Sequence, residues 1–541
     1  MKKAQRFLIS ILSIILVLTL ASCNASKSGD FADGNGEYDF VGDVNGSINR
    51  PTNEYGEPNF SPDGGTKDDA EMAPGSAEQS PDSQLTNEIA ENPFVKVEEM
   101  DTSTFSADVD TASYTFLRKL INDGFSLSEI QNVAKSNVIR TEEIVNYFDY
   151  SYTDAPEGEM FGTKATIAKS PWNENTYLLM LGLKAKELED RADNNLVFLI
   201  DVSGSMSGEN KLPLLQKAFS YLVEQLDEND TVSIVTYAGN ERVALPATSG
   251  NKKEIIINAI NNLTAGGSTN GEAGIKKAYE IAEANFKPDG NNRIIIASDG
   301  DLNVGISKPA DLEKLVEEKR DSGIFLSVLG FGTGNFRDDN MSAIAQTGNG
   351  VYHYIDCAAE AERIFSDSLL STIYTVAKDV KFQLTFDKNF ISEYRLIGYE
   401  NRLLANEDFE DDTKDAGEVG AGHTLTVCYE LKLCDAAPDT ADEGGADNGV
   451  VDNWVKLSIR YKQPDSDVSE LREIYIGEKN MTVEPDEDFV FATTAIEFSM
   501  LVRNSKYRNT ETTLEDLIGR LSDMTLDEAK SEFVELLTRI S

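Results

Sequence analysis

The hydrophobic pattern changes period along the chain. From 195 to about 377, short continuous apolar runs at 196–200, 232–237, 243–246, 293–297, 325–329 and 351–355 alternate with amphipathic stretches at 212–226, 252–263, 271–285, 310–319, 339–345 and 359–370. The runs have strand length and the stretches have helical spacing. Strands this apolar need cover on both faces, so the alternation predicts an α/β domain with a doubly wound, mainly parallel sheet. Ligands of such sheets sit beyond the carboxyl ends of the strands, near the switch in strand order.

Beyond 378 the period becomes two. Val380, Phe382, Leu384 and Phe386 alternate with polar residues, as do Leu425, Val427, Tyr429 and Leu431, and Val455, Leu457, Ile459 and Tyr461. These predict half-buried antiparallel strands. A charged insert at 435–449 reads as a loop between two of them, and helical patterns at 489–503, 514–521 and 526–540 close the chain. Before the α/β region, helical patterns at 115–123 and 140–147 and a strand-like run at 177–183 form a piece too small for its own core. It is expected to pack on a later domain. Residues 24–92 are dominated by Gly, Asp, Ser, Pro, Asn and Glu, cannot bury enough surface to offset their ordering entropy, and read as a disordered tether. The expected division is thus 1–23 signal, 24–92 tether, 93–190 N-terminal mixed accessory module, 194–377 α/β domain and 378–541 C-terminal antiparallel β plus helical module.

Composition narrows the partners. With 49 Lys plus Arg against 94 Asp plus Glu in 541 residues, the formal charge is −45, which argues against nucleic acid as a partner. The N-terminus carries Lys2, Lys3 and Arg6 ahead of an apolar stretch at 7–20, too short for an ordinary membrane span, which reads as an export signal. It ends in Leu20-Ala21-Ser22-Cys23, a resemblance to the lipobox of bacterial lipoproteins that implies lipidation of Cys23 and a membrane anchor outside the cytoplasm. The remaining cysteines, Cys357, Cys428 and Cys434, allow one bridge at most. Cys428 and Cys434 fall on one predicted strand, about 20 Å apart at about 3.3 Å per residue, and cannot pair if that strand is continuous. The two histidines, His353 and His423, stand far apart in the chain and read as structural.

Three separated segments offer oxygen donors at predicted strand ends or helix starts: Asp201-Val202-Ser203-Gly204-Ser205, Gly266-Gly267-Ser268-Thr269-Asn270, and Ser298-Asp299-Gly300. Short hydroxyl and carboxylate side chains on tight glycine loops suit a small hard cation that wants about six oxygens. A superficially similar stretch, Asp108-Val109-Asp110-Thr111-Ala112-Ser113, follows no apolar strand and reads as capping and packing.

The donor pattern resembles the von Willebrand factor type A family, whose metal-ion-dependent adhesion site runs D-x-S-x-S, then Thr, then Asp. The matching residues are Asp201, Ser203, Ser205, Thr269 and Asp299. The resemblance implies the family's Rossmann-like fold and a bound Mg²⁺, with Mn²⁺ or Ca²⁺ as the other candidate ions. In that family the hydroxyls bind the ion directly and one or both aspartates commonly act through water, which implies an ion electrophilic enough to accept a carboxylate from a protein partner. The flanks "FSADVDTASY", "RTEEIVNYFDY", "SPWN", "YRLIGYENR" and "DAGEVGAGHTLTVCYEL" resemble bacterial YfbK-like lipoproteins of the type A family. The expectation is therefore an envelope-anchored binding protein used in adhesion or scaffolding.

Two other classes compete. An enzyme would need a nucleophile with its base, a phosphate loop or a catalytic metal with a positioned acid or base. The glycine loop at Gly266 lacks a P-loop lysine, no G-x-S-x-G elbow surrounds Gly204, and neither histidine lies in a nucleophile motif. A solute-binding lipoprotein would need two similar α/β lobes, and the α/β pattern occurs once.

Overall fold

The computed structural model describes residues 91–135, 138–188, 191–238, 240–267, 271–300, 309–332, 338–367, 373–434, 453–464 and 466–541. The export signal, Cys23, nearly all of the tether, Thr269 and the 435–449 insert lie outside the described residues.

The chain enters through β1 (Val95–Lys96), β2 (Thr102–Ser106), helices α1 (Ala112–Asn122), α2 (Leu127–Ala134) and α3 (Thr141–Val145), and the hairpin β3 (Phe161–Lys169) and β4 (Tyr177–Ala185). The α/β region follows as β5 (Asn194–Asp201), α4 (Leu212–Glu224), β6 (Thr231–Ala238), β7 (Asn240–Ser249), α5 (Lys253–Asn261), α6 (Gly271–Ala284), β8 (Asn291–Ser298), α7 (Pro309–Arg320), β9 (Ile324–Phe331), α8 (Asp338–Thr347), β10 (Tyr352–Ile355) and α9 (Ala358–Glu362). The rest comprises β11 (Thr375–Phe386), β12 (Ile391–Ile397), β13 (Gly417–Gly420), β14 (Thr424–Leu433), β15 (Val455–Lys462), β16 (Ser469–Ile476), α10 (Glu487–Val502), α11 (Leu514–Leu521) and α12 (Glu528–Ile540).

Six strands form the α/β sheet in the order β10-β9-β8-β5-β6-β7. All neighbours run parallel except the edge pair β6 and β7, which is antiparallel. Strand β5 is buried along its whole length because both faces are covered. Leu196, Phe198 and Ile200 face α4, whose Leu215, Ala218 and Phe219 share their core, while Val197 and Leu199 face Ile275 and Ala278 of α6. The doubly wound layout is thus written in the alternation of one strand. The order reverses at β5, which has β6 on one side and β8 on the other.

The segments on either side of this domain are woven together. One sheet runs β1-β12-β14-β4-β3, mixing early and late strands, and a second runs β13-β11-β15-β16 with β2 also on β11. The early piece therefore gains a core by lending strands to the late one. Helix α10 is buried at nearly every position, as expected for a helix apolar all round, and Asp486 caps it by accepting from the Phe489 amide at 3.0 Å.

Several local readings shift. The stretch at 359–370 is α-helical only as far as Glu362, after which Arg363–Asp367 widens to a π turn. Strands β2 and β3 had no counterpart in the sequence reading. Cys428 lies in β14 and Cys434 directly follows it, and no disulfide joins Cys357, Cys428 and Cys434 to one another. The histidines, distant in sequence, come within electrostatic reach of each other, and burial lowers His353 to about 3 and His423 to about 4. Asp108 and Asp110 act as a bolt between modules. Asp108 accepts two bonds from Arg402 at 2.9 and 3.0 Å, and Asp110 accepts from the Tyr352 amide of β10 at 2.9 Å. No helix among the described residues is long and apolar enough to cross a membrane.

Candidate functional site

The parallel sheet delivers Asp201 and Asp299 to neighbouring positions at its carboxyl edge. Asp201 is the last residue of β5 and Asp299 directly follows β8, the strand paired in register with β5. Both are buried. Just after Asp201 the backbone turns into a short 3₁₀ segment, Gly204–Ser207. Asp201 Oδ1 accepts from the Ser203 amide at 2.8 Å and so shapes that turn, and its other oxygen accepts from Ser298 Oγ at 3.3 Å. The turn brings Ser203 Oγ and Ser205 Oγ within 2.9 Å of each other. Ser205 is exposed while Ser203 is buried, so the cluster opens outward past Ser205.

The second loop is stitched to the first. Gly266 N donates to Val202 O at 2.7 Å and Gly204 N to Gly267 O at 3.1 Å. Gly267 has φ +88, a left-handed conformation that favours glycine. Four of the five predicted residues, Asp201, Ser203, Ser205 and Asp299, thus gather at one rim. Thr269, two positions beyond the stitched glycines, lies outside the described residues.

The electrostatics are strained. Burial pushes Asp201 up to about 6; bonds from Ser203 oppose this, and the nearby Asp299 carboxylate adds to it. Asp299 Oδ2 accepts from Lys211 Nζ at 2.8 Å, whereas its buried Oδ1 has no hydrogen-bond partner among the described residues. An orphaned buried carboxylate oxygen is costly unless something cationic or protic meets it. Among the described residues no trio of His, Cys, Asp or Glu is grouped to hold a metal, so an ion here would depend on the serine hydroxyls. The all-oxygen donor set and the orphaned Oδ1 fit a hard divalent cation. The sequence alone does not mark Lys211, because a lysine beside a helix start reads as solvated.

A second cluster ties this domain to its flanks. Arg118 of α1 bonds Asp356 through Nη2–Oδ1 at 2.5 Å and Nε–Oδ2 at 2.9 Å, and Glu360 at 2.9 Å. Tyr147 donates to Glu360 at 2.7 Å and Arg363 pairs with it at 2.6 Å. Burial alone would raise Glu360, but Arg363 and Arg118 hold it down to about 2.

This fold and rim define a protein with a von Willebrand factor type A domain, and the family profile of that description matches residues 195–367. A profile described as "von Willebrand factor" matches 81–180, and one described as "Uncharacterized protein YfbK, C-terminal" matches 371–541. The chain belongs to the YfbK family: it is 39% identical over 445 residues to YfbK of Escherichia coli (strain K12), covering 80% of this chain and 76% of that protein. More distant relatives include sll0103 of Synechocystis, 27% identical over 37% of this chain and 46% of its own length. Inter-alpha-trypsin inhibitor heavy chain H3 of Mus musculus is 29% identical over 32% of this chain and 19% of its own length. Among solved structures, a von Willebrand factor type A protein from Catenulispora acidiphila aligns over 72% of this chain and 91% of its own, at 14% identity and TM-score 0.41.

Proposed function

We propose that the chain is an envelope lipoprotein, anchored through Cys23, that holds one divalent cation at the rim of its type A domain and uses it to bind an acidic group of a protein partner. The observation that carries this reading is Asp299 Oδ1, buried and without a hydrogen-bond partner among the described residues, beside Asp201 and the Ser203–Ser205 hydroxyl pair. In the proposed site Ser203, Ser205 and Thr269 supply hydroxyls, and Asp201 and Asp299 supply charge. Mg²⁺ is the expected ion, with Mn²⁺ and Ca²⁺ as alternatives of the same oxygen preference. The bound ion supplies an electrophilic centre for a carboxylate. The rim's exposed edge at Ser205 gives such a partner access. We read the domain as a binding module and not as an enzyme.

Affinity capture from envelope extracts, eluted by chelator, tests this reading. A partner retained by the wild-type protein should be released by chelation and should not be captured by Asp201→Ala. Capture that is indifferent to both would overturn it.

A further inference from the structure

Lys211 enters the rim from the residue just before α4. Its Nζ donates to Asp299 Oδ2 at 2.8 Å and to the Ser205 carbonyl at 3.1 Å. The stem reaches there by crossing Gly332, just past the end of β9. Gly332 has φ +74, and a Cβ at that position would collide with Lys211 Cε. The Gly332 carbonyl is itself held by the Tyr354 hydroxyl at 2.9 Å. A side-chain-free, left-handed residue with its carbonyl pinned makes a track for the lysine stem. The ammonium is therefore placed by packing as well as by charge, on a side chain only 15% exposed.

That placement sets the charge of the rim. Two ionised aspartates and one lysine leave the rim with a single negative charge. A divalent cation reverses the sign and leaves a single positive charge, which an incoming carboxylate cancels. Without Lys211 the loaded rim would be neutral before the partner arrived. The ammonium and the ion also compete for the same Asp299 carboxylate.

We propose that Lys211 is a tethered counter-ion of this site: it holds Asp299 when no divalent cation is bound, competes with the cation for that carboxylate, and gives the loaded site the net positive charge that favours an acidic ligand. This inference rests on the metal-binding reading above. It assigns to one side chain the setting of ion affinity.

The test compares full-length wild-type protein with Lys211→Met, which keeps the stem and loses the charge, and with Lys211→Arg, which keeps the charge. Lys211→Gln serves as a second neutral variant, and circular dichroism checks that each folds. Mn²⁺ binding is measured by calorimetry, and the melting temperature is measured in chelator. Both neutral variants should bind Mn²⁺ at least about tenfold more tightly than wild type, since a neighbouring positive charge is gone, and should melt a few degrees lower in chelator. Lys211→Arg should stay near wild type in both. Equal or weaker Mn²⁺ binding by the neutral variants, with wild type binding normally, would overturn the counter-ion role and leave the metal reading intact. If neither wild type nor the neutral variants take up Mn²⁺, the metal reading falls and the proposal falls with it.

Discussion

Arg118 and Asp356, separated by 238 positions, meet in a two-point ion pair whose side chains are 3% and 2% exposed. The guanidinium also reaches Glu360 and Glu532, so one residue of α1 joins the type A domain to the last helix of the chain. Arg118→Met would leave two buried carboxylates short of a partner. Removing one member of such a cluster costs about 3–5 kcal/mol, because the remaining charge stays buried. By contrast, Lys276→Ala removes an exposed i,i+4 pair with Glu272, where about 0.5 kcal/mol or less is at stake. Urea unfolding of the two variants should separate them clearly. Equal losses would mean that the buried network contributes no more than the surface one.

His353 should make the protein acid-sensitive. Its folded-state value lies near 3, below the ordinary 6.5, because burial disfavours the charged ring. A depressed folded value means that the unfolded chain binds more protons between the two. The histidine's contribution is therefore fully present above about 6.5 and is lost as pH falls toward 3. Replacing it with Phe removes that term. Between pH 7 and pH 5 the stability of His353→Phe should fall about 1–2 kcal/mol less than that of wild type. Parallel unfolding curves at the two pH values would show the term to be absent.

The α/β domain was legible because buried parallel strands leave unbroken apolar runs, and β5, β8 and β9 each carry one. The convergence of Asp201, Ser203, Ser205 and Asp299 was legible because these donors stand at, or within a few residues after, the carboxyl ends of adjacent strands β5 and β8. What stayed hidden followed from physical causes. Strand β2, TSTFS, has Phe105 as its only large apolar residue and is held by its backbone ladder to β11. Strand β3 is a sheet edge with mid-strand residues only partly buried, so its alternation is incomplete. Lys211 is defined by a partner just past β8 and a track past β9, neither of which local spacing can show.

The Asp201–Asp299 pair predicts a pH dependence of opposite sign. Asp201 is raised to about 6, so the folded state without an ion binds more protons than the unfolded chain between about 4 and 6. Its contribution to stability is thus lost as pH rises through that window. A divalent cation should reverse the loss, since it meets the Asp201 carboxylate as it ionises. Excess Mg²⁺ should stabilise the protein at pH 7.5 by about 2.7 kcal/mol at a hundredfold excess over Kd, and by much less at pH 5. Asp201→Ala and Thr269→Val should each remove most of the effect. Melting curves with and without Mg²⁺ at both pH values check this, and a shift independent of pH would separate Asp201 from ion binding.

The sharing of strands between early and late segments makes a prediction about a single glycine. Gly182 lies in β4, where it pairs with Thr426 of β14 and Lys164 of β3. A Cβ there would run into the Tyr152 ring, whose hydroxyl bonds Thr426 Oγ1 at 2.7 Å. Asn146 reaches the same place, accepting from the Thr426 amide at 2.7 Å and donating to the Tyr399 hydroxyl at 3.1 Å. The ring cannot retreat without breaking a buried hydrogen bond between the early segment and β14. Gly182→Ala should therefore cost about 1–3 kcal/mol, the usual range for overpacking a filled core. Pairing it with Tyr152→Leu, which shortens the side chain, should recover part of that loss. A double-mutant cycle in urea measures the coupling. Simple additivity would show that the close approach of Gly182 to Tyr152 does not set the cost.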